Sequence, residues 1–320
     1  MALHILTVLL EQGFDVVVTV SSQSKSQDVL NTSTMYSSKV TIRCVPDIGA
    51  LGAYDTTFLE HPEINAIIHT ASPFKMDTND RLEGFIEPEI NSTTNILTAI
   101  KCFAPQVTKV VFTSSLVAAV DFKNPGTHVY NEQSWNQVSI DDVTDGWSCY
   151  CAAKKLSEQA FWQFIATEKP NFVGTSLLPS LIFGPTLNSA TSNIALNQSC
   201  ALIYGLLKGV VPQSLRSPYI DVRDLARVHV MALMNPATDG RRLIASSGFF
   251  VGKQLVETIS QLPVNVVKPD PSVNVDPVIR QTFALDNSST NEILGITYTS
   301  FRDTAIDTAQ SLIARGLLRA

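Results

Sequence analysis

Phe14–Val20 is a β-branched run that starts just after Gly13 and stops at Ser21. A run with no polar alternation suits a strand buried on both faces, as in a parallel sheet covered by helices. Further strands are expected at Val40–Val45, Ala66–His69, Val110–Thr113 and Gly174–Leu178. Between the runs lie segments with apolar residues at helical spacing. Leu3, Leu6, Leu9 and Leu10 mark a helix from Ala2 to Gln12, which Gly13 stops. A helix through Tyr54 and Phe58 precedes Ala66, and Leu82–Phe103 reads as helical in two pieces broken at Pro88. Strands alternating with helices predict an α/β fold built on a doubly wound parallel sheet.

After Phe183-Gly184-Pro185 the rhythm changes. Asn188–Leu207 reads as largely helical, Tyr219–Val222 as short and extended, and Val222–Met234 as a helix. Arg242–Ala245 reads as a strand, Val251–Leu262 as a helix, proline-rich Pro263–Val278 as a loop, and Ser300–Arg315 as an amphipathic helix. The expected organisation is a cofactor-type domain over residues 1–180 and a smaller substrate lobe over 181–320, packed as one unit. The lobe is apolar (Ile194, Leu196, Leu202, Ile203, Leu206, Leu207), which suits an apolar ligand.

Composition narrows the function. The 320 residues are 45% hydrophobic and carry a spread net charge of −6, with no basic stripe, which argues against nucleic acid as a partner. No apolar run approaches the roughly 18 residues of a membrane span. The amino terminus lacks a basic leader segment, so a cytoplasmic protein is expected. The cysteines Cys44, Cys102, Cys149, Cys151 and Cys200 sit in apolar settings and read as reduced core thiols.

The chemistry is carried by Tyr150 and Lys154, four residues apart at the opening of a predicted helix. Such residues share one helix face. An ammonium beside a phenol favours the phenolate, which makes the tyrosine usable as a general acid or base. Upstream, the Val110–Thr113 strand ends at Ser114-Ser115, at a carboxyl sheet edge where ligands of such folds bind. A serine hydroxyl there can polarise a carbonyl that the tyrosine protonates.

With these residues in place, the chain resembles the extended short-chain dehydrogenase/reductases, and within them the dihydroflavonol reductase-like carbonyl reductases of the NAD-dependent epimerase/dehydratase group. The matching stretches are Val45–Ile48, His69–Phe74, Val111–Ser115, Tyr150–Lys155, Pro179–Pro185 and Tyr219–Asp224. The resemblance implies a Rossmann-type fold and Ser115, Tyr150 and Lys154 as the catalytic group. It implies NADP as cofactor: Lys154 and Tyr150 at the nicotinamide ribose, Asp47 and Ile48 flanking the adenine, Thr70, Ala71 and Ser72 lining the cofactor, and Pro179 and Leu181 beside the nicotinamide. Phe74, Ser115 and Tyr150 would meet the substrate, a small apolar or natural-product ketone or aldehyde. The protein would act as a monomer or homodimer on a small molecule, without a metal.

Two features depart from the family pattern. The family opens with a strand and a Gly-x-x-Gly-x-x-Gly turn that cradles the pyrophosphate. This sequence opens within the helix that follows that turn. Gly49 and Gly52 are a chance match. An arginine that the family places after the second strand, to meet the 2′-phosphate, corresponds to Ser21, with Lys25 nearby. Without the central strand, a gap of roughly 9–10 Å opens in the sheet unless the neighbours rearrange, another segment fills it, or upstream residues supply it. Three activities stay open at this level. They are NADP-linked carbonyl reduction, redox-neutral acid–base chemistry with weakened or lost cofactor binding (isomerisation, epoxide opening or cyclisation), and a non-catalytic binding role. His69 and His229 read as structural, Asp221, Arg223 and Asp224 as a helix start, and Trp135 and Trp147 as pocket or packing aromatics.

Overall fold

The computed structural model describes residues 1–73, 82–123, 126–188, 197–212, 215–262 and 283–316. In chain order the elements of the first part are α1 (Ala2–Glu11), β1 (Val16–Val20), α2 (Gln23–Thr32), β2 (Val40–Cys44), α3 (Asp55–Glu60) and β3 (Ala66–His69). They continue with α4 (Glu87–Phe103), β4 (Lys109–Thr113), β5 (Val129–Tyr130), α5 (Gly146–Glu168) and β6 (Val173–Pro179). Next come β7 (Leu181–Phe183), α6 (Gln198–Leu207), β8 (Arg216–Asp221), α7 (Val222–Met234), β9 (Arg242–Ala245) and β10 (Gly248–Val251). The chain ends with α8 (Gly252–Ser260), β11 (Ala284–Leu285), α9 (Ser288–Leu294) and α10 (Phe301–Ala314).

The sheet is parallel, as expected, but it comes in two pieces. One holds β3-β4-β6-β9, and the other holds β1 and β2 alone. Among the described residues no strand pairs with the open edges of β1 and β3. What spans the two pieces is side-chain packing. Ile5 and Leu9 of α1 meet Ala226 and Val230 of α7, with Val16 of β1 and Ile68 of β3 packed on the same cluster. The neighbouring stripe of α1, through Leu6 and Leu10, covers Val16, Val18, Val20, Val40 and Ile42.

Strand alternation divides the core. Val110 and Phe112 of β4 point to α4 and α5, among Ile96, Ile100 and Phe161, while Val111 points to α7, among Leu225 and Val228. A second sheet, β10-β8-β7, and a core cluster of Phe183, Ile203, Leu206, Phe250, Leu255 and Leu312 form beside the parallel sheet from residue 181 onward. β9 returns to the large sheet beside β6, so residues after 181 contribute to both layers.

Several expectations need correction. β1 is half-buried with Thr19 exposed, not buried on both faces, because its strand pairing is one-sided. Tyr150 lies in the second turn of α5 rather than at its opening: Asp145 caps the helix by accepting from the Ser148 N–H at 2.7 Å. Pro88 does not break a helix but sits in the first turn of α4, where its missing N–H costs nothing, after a π-type turn at Leu82–Ile86. Cys44 and Cys102 are exposed, because Cys44 ends a strand of a two-stranded sheet and Cys102 lies in the last turn of α4. All five cysteines are free thiols. Gly248–Val251 and Ser288–Leu294 are ordered elements that local patterning did not suggest. Phe74, Ile194, Leu196 and all of Pro263–Val278 lie outside the described residues.

Helix α5 can lie close on β6 because position 174 has no side chain. A Cβ there would stand 2.6 Å from Phe161 Cζ and 2.5 Å from Ile165 Cδ1. Phe161 is fully buried and stacked on Phe112 at 4.9 Å between centroids, so it has little room to yield. Gly174→Ala is therefore expected to destabilise the fold by about 1–3 kcal/mol through overpacking. Chemical denaturation compared with the parent chain measures this.

Candidate active site

The carboxyl ends of β3, β4 and β6 lie in register along one edge: His69 faces Phe112, Thr113 faces Leu177, and Pro179 ends β6. The loop Thr70-Ala71-Ser72 leaves β3 there, and Ser114-Ser115 leaves β4. Ser115 caps a short 3₁₀ turn, its hydroxyl accepting from Val117 N–H at 3.4 Å, which fixes the side chain at the edge. The Tyr150 hydroxyl donates to Ser115 Oγ at 3.4 Å. Lys154 follows one turn later and reaches Ser72 Oγ at 3.1 Å. So Ser72, Ser115, Tyr150 and Lys154, from three separate stretches, form one cluster.

Lys154 also donates to Glu89 Oε1 at 2.7 Å, and Ser72 donates to Glu89 Oε2 at 2.7 Å. Glu89 and Lys154 are only 2% and 8% exposed, so this is a buried ion pair. Burial alone pushes the ammonium toward deprotonation. The Glu89 carboxylate and the Tyr150 phenol outweigh it, and Lys154 ends above the ordinary lysine value. It is cationic at neutral pH.

Beneath the edge lies a second buried carboxylate. Glu158, one turn beyond Lys154, accepts from Ser114 Oγ at 2.7 Å, Ser176 Oγ at 2.6 Å and Arg242 Nε at 2.8 Å. Arg242 donates onward to the Glu132 and Ser134 carbonyls and stacks 3.7 Å over the Trp135 ring. The segment of Glu132, Ser134 and Trp135 is thus pinned to the sheet, and Trp135 is a packing anchor. Trp147 stands half-exposed against Tyr150, 5.9 Å between ring centroids.

The remaining candidate residues surround the cluster. Asp47 is exposed and accepts from Gly49 N–H at 2.9 Å, and Ile48 is partly buried beside it. Asn95 of α4 holds this loop by donating to the Gly49 and Ala50 carbonyls at 2.8 and 3.0 Å. Pro179 is buried, while Leu181 packs against the C-terminal core. Lys25 donates to Ser21 Oγ at 2.8 Å, which puts an ammonium just past β1. His69 is buried between Tyr54 and Phe112, and burial pushes it down to about 4. His229 is likewise buried and pushed down to about 4. Its Nδ1–H donates to the Leu225 carbonyl, so Nε2 accepts from Thr113. Both are neutral structural histidines. Asp221 caps α7 and pairs with Arg223 and Thr304.

Sequence reading missed Glu89, Glu158 and Arg242. Glu158 was within reach, since Tyr150, Lys154 and Glu158 continue one helical face at steps of four. Glu89 resembled an ordinary acidic residue in a first helical turn.

Arg242→Met leaves Glu158 charged and unpaired in the core. The expected loss is about 3–5 kcal/mol of stability. Pairing it with Glu158→Gln should recover part of this, and denaturation of the two variants provides the check.

Comparison with known proteins extends the argument. Residues 2–244 match the NAD dependent epimerase/dehydratase family. A ketoreductase of Aspergillus niger is 33% identical over 98% of this chain and 94% of its own length. A putative NADPH-dependent methylglyoxal reductase of Candida albicans is 32% identical over 95% of this chain and 93% of its own. The crystal structure of yeast methylglyoxal/isovaleraldehyde reductase complexed with NADPH superposes with a TM-score of 0.87 at 30% identity, covering 99% and 96% of the two chains. Among the described residues no helix is long and apolar enough to cross a membrane, and no cluster of three potential metal ligands occurs.

Proposed function

Since this chain belongs to the NAD dependent epimerase/dehydratase family, we propose that it reduces a ketone or aldehyde to the alcohol with NADPH, Tyr150 giving the proton. The observation that carries this reading is the Tyr150 hydroxyl within 3.4 Å of Ser115 Oγ, with cationic Lys154 on the next turn. A carbonyl oxygen set between the two hydroxyls accepts hydrogen bonds from both. Negative charge that develops on that oxygen is met by donors already in place, which lowers the barrier. Tyr150 then transfers its proton, and the Lys154 charge favours the phenolate left behind.

The nicotinamide-riboside end of the cofactor fits the residues present. Lys154, Ser72 and Tyr150 offer donors and acceptors for ribose hydroxyls at this edge, and Pro179 and partly buried Leu181, at the end of β6 and the start of β7, would stand beside the ring. When bound, NADPH supplies the hydride. Asp47 and Ile48 would flank the adenine, and Lys25 beside Ser21 offers a cation for the 2′-phosphate where the family pattern has arginine. The NADPH named for the relatives supports the redox reading over redox-neutral chemistry. The ketoreductase relative supports a ketone as substrate, and a small apolar or natural-product carbonyl within secondary metabolism is the reading we assign. A cytoplasmic monomer or homodimer is the state we assign.

The test follows NADPH absorbance with methylglyoxal and isovaleraldehyde, the compounds named for the yeast relative. Tyr150→Phe is expected to lower kcat by about 10²–10⁴-fold, the range of a positioned acid, with a much smaller loss of NADPH affinity from the missing ribose contact. A Tyr150→Phe enzyme that turns over at the parent rate sinks this reading.

A further inference from the structure

Lys154 does not act on Tyr150 alone. Its ammonium, the Ser72 hydroxyl and the Glu89 carboxylate close a ring of hydrogen bonds of 2.7, 3.1 and 2.7 Å that uses both carboxylate oxygens. Glu89 comes from the first turn of α4, and its helix is held on α5 by Thr93 Oγ1 to Ser157 Oγ at 2.7 Å. Water has little access to the pair, so its electrostatics are weakly screened.

Other ionisable groups around the ring are balanced or neutral. His69, at the end of β3, is neutral above about pH 4. Glu158, on the next turn of α5, is paired with Arg242 from β9. Lys155 turns away to the Val138 carbonyl at 2.7 Å. Cys151, pushed up to about 12 by burial with Asp121 and Asp145 adding to the shift, is a thiol, and Asp145 is engaged with Ser148 at the start of α5. Glu89 is therefore the negative charge that accompanies Lys154.

An ammonium alone biases an adjacent phenol toward phenolate, and a carboxylate on the far side of that ammonium opposes the bias. We propose that Glu89 is a positioning residue for the reaction. It holds Lys154 and Ser72 in one arrangement and offsets the ammonium's charge, so that Tyr150 keeps its donatable proton to higher pH. This inference rests on the catalytic reading of Tyr150 above. It carries a directional consequence: carbonyl reduction consumes the phenol form, whereas alcohol oxidation needs the phenolate. Glu89 favours reduction at alkaline pH.

The experiment measures kcat/KM for NADPH-dependent reduction across the neutral and alkaline range for the full chain and for Glu89→Gln, Glu89→Asp and Ser72→Ala. Thermal unfolding confirms that each variant is folded. Glu89→Gln keeps the shape and removes the charge. Its alkaline limb is expected to fall by about one pH unit, a tenfold loss of kcat/KM above the limb. Glu89→Asp draws the charge back by one methylene and should move the limb the same way by less, which supplies the test if the glutamine variant does not fold. Ser72→Ala keeps the carboxylate. It should raise KM for NADPH and leave the limb in place. A folded Glu89→Gln or Glu89→Asp enzyme whose limb coincides with the parent's overturns the proposal, as does a Ser72→Ala limb that moves as far as that of Glu89→Gln. Failure of the underlying catalytic reading would show elsewhere, as Tyr150-independent turnover in the parent.

Discussion

Glu158 has no exposed surface, and its carboxylate is held by Arg242, Ser114 and Ser176. A charge in that position costs several kcal/mol unless its partners meet it with good geometry. The partners come from β9, the end of β4 and the middle of β6, so α5 can lie on the sheet in only one register. Ser114 is one residue from Ser115, and Glu158 is two turns from Tyr150. The distance between the Ser115 and Tyr150 hydroxyls is in this way tied to a buried pair that touches neither of them. Gly174 permits the close approach, and Phe161 stacked on Phe112 fills the interface.

What could be read from sequence was what is local. Helical period put Tyr150 and Lys154 on one face, and the strand-like segments between helical stretches located β1, β2, β3, β4 and β6 within one or two residues. The strand-end position of Ser115 followed from the same pattern. Glu89 and Arg242 were not legible, because their partners lie 65 and 84 residues away and no periodicity records such a pairing. β10 was missed because its pairing with β8 is set by the C-terminal core rather than by alternation. The burial of β1 was overestimated for a related reason: a β-branched run reports a preference for a covered sheet, not how many neighbours the strand finds.

The division of the parallel sheet gives the fold its unusual balance. β1 and β2 are joined to the larger sheet by α1 against α7 and by Val16 and Ile68 on a shared apolar cluster, not by strand pairing. Ser72, Ser115, Tyr150 and Lys154 all belong to the larger sheet and its helices. These four groups are thus fixed by β3, β4, β6, α4 and α5. The loop of Asp47 and Ile48 depends on Asn95 of α4. One helix therefore supports both ends of the proposed cofactor site, through Glu89 at its start and Asn95 two turns on.

The central claim is that this edge binds NADPH. It is tested most directly by titrating the folded chain with NADPH, then NADH, while following nicotinamide fluorescence and thermal unfolding. Saturable binding in the micromolar range, tighter for NADPH and accompanied by a rise in Tm, is the predicted result. A chain that unfolds cooperatively yet shows no binding and no shift in Tm at about millimolar NADPH would contradict the account.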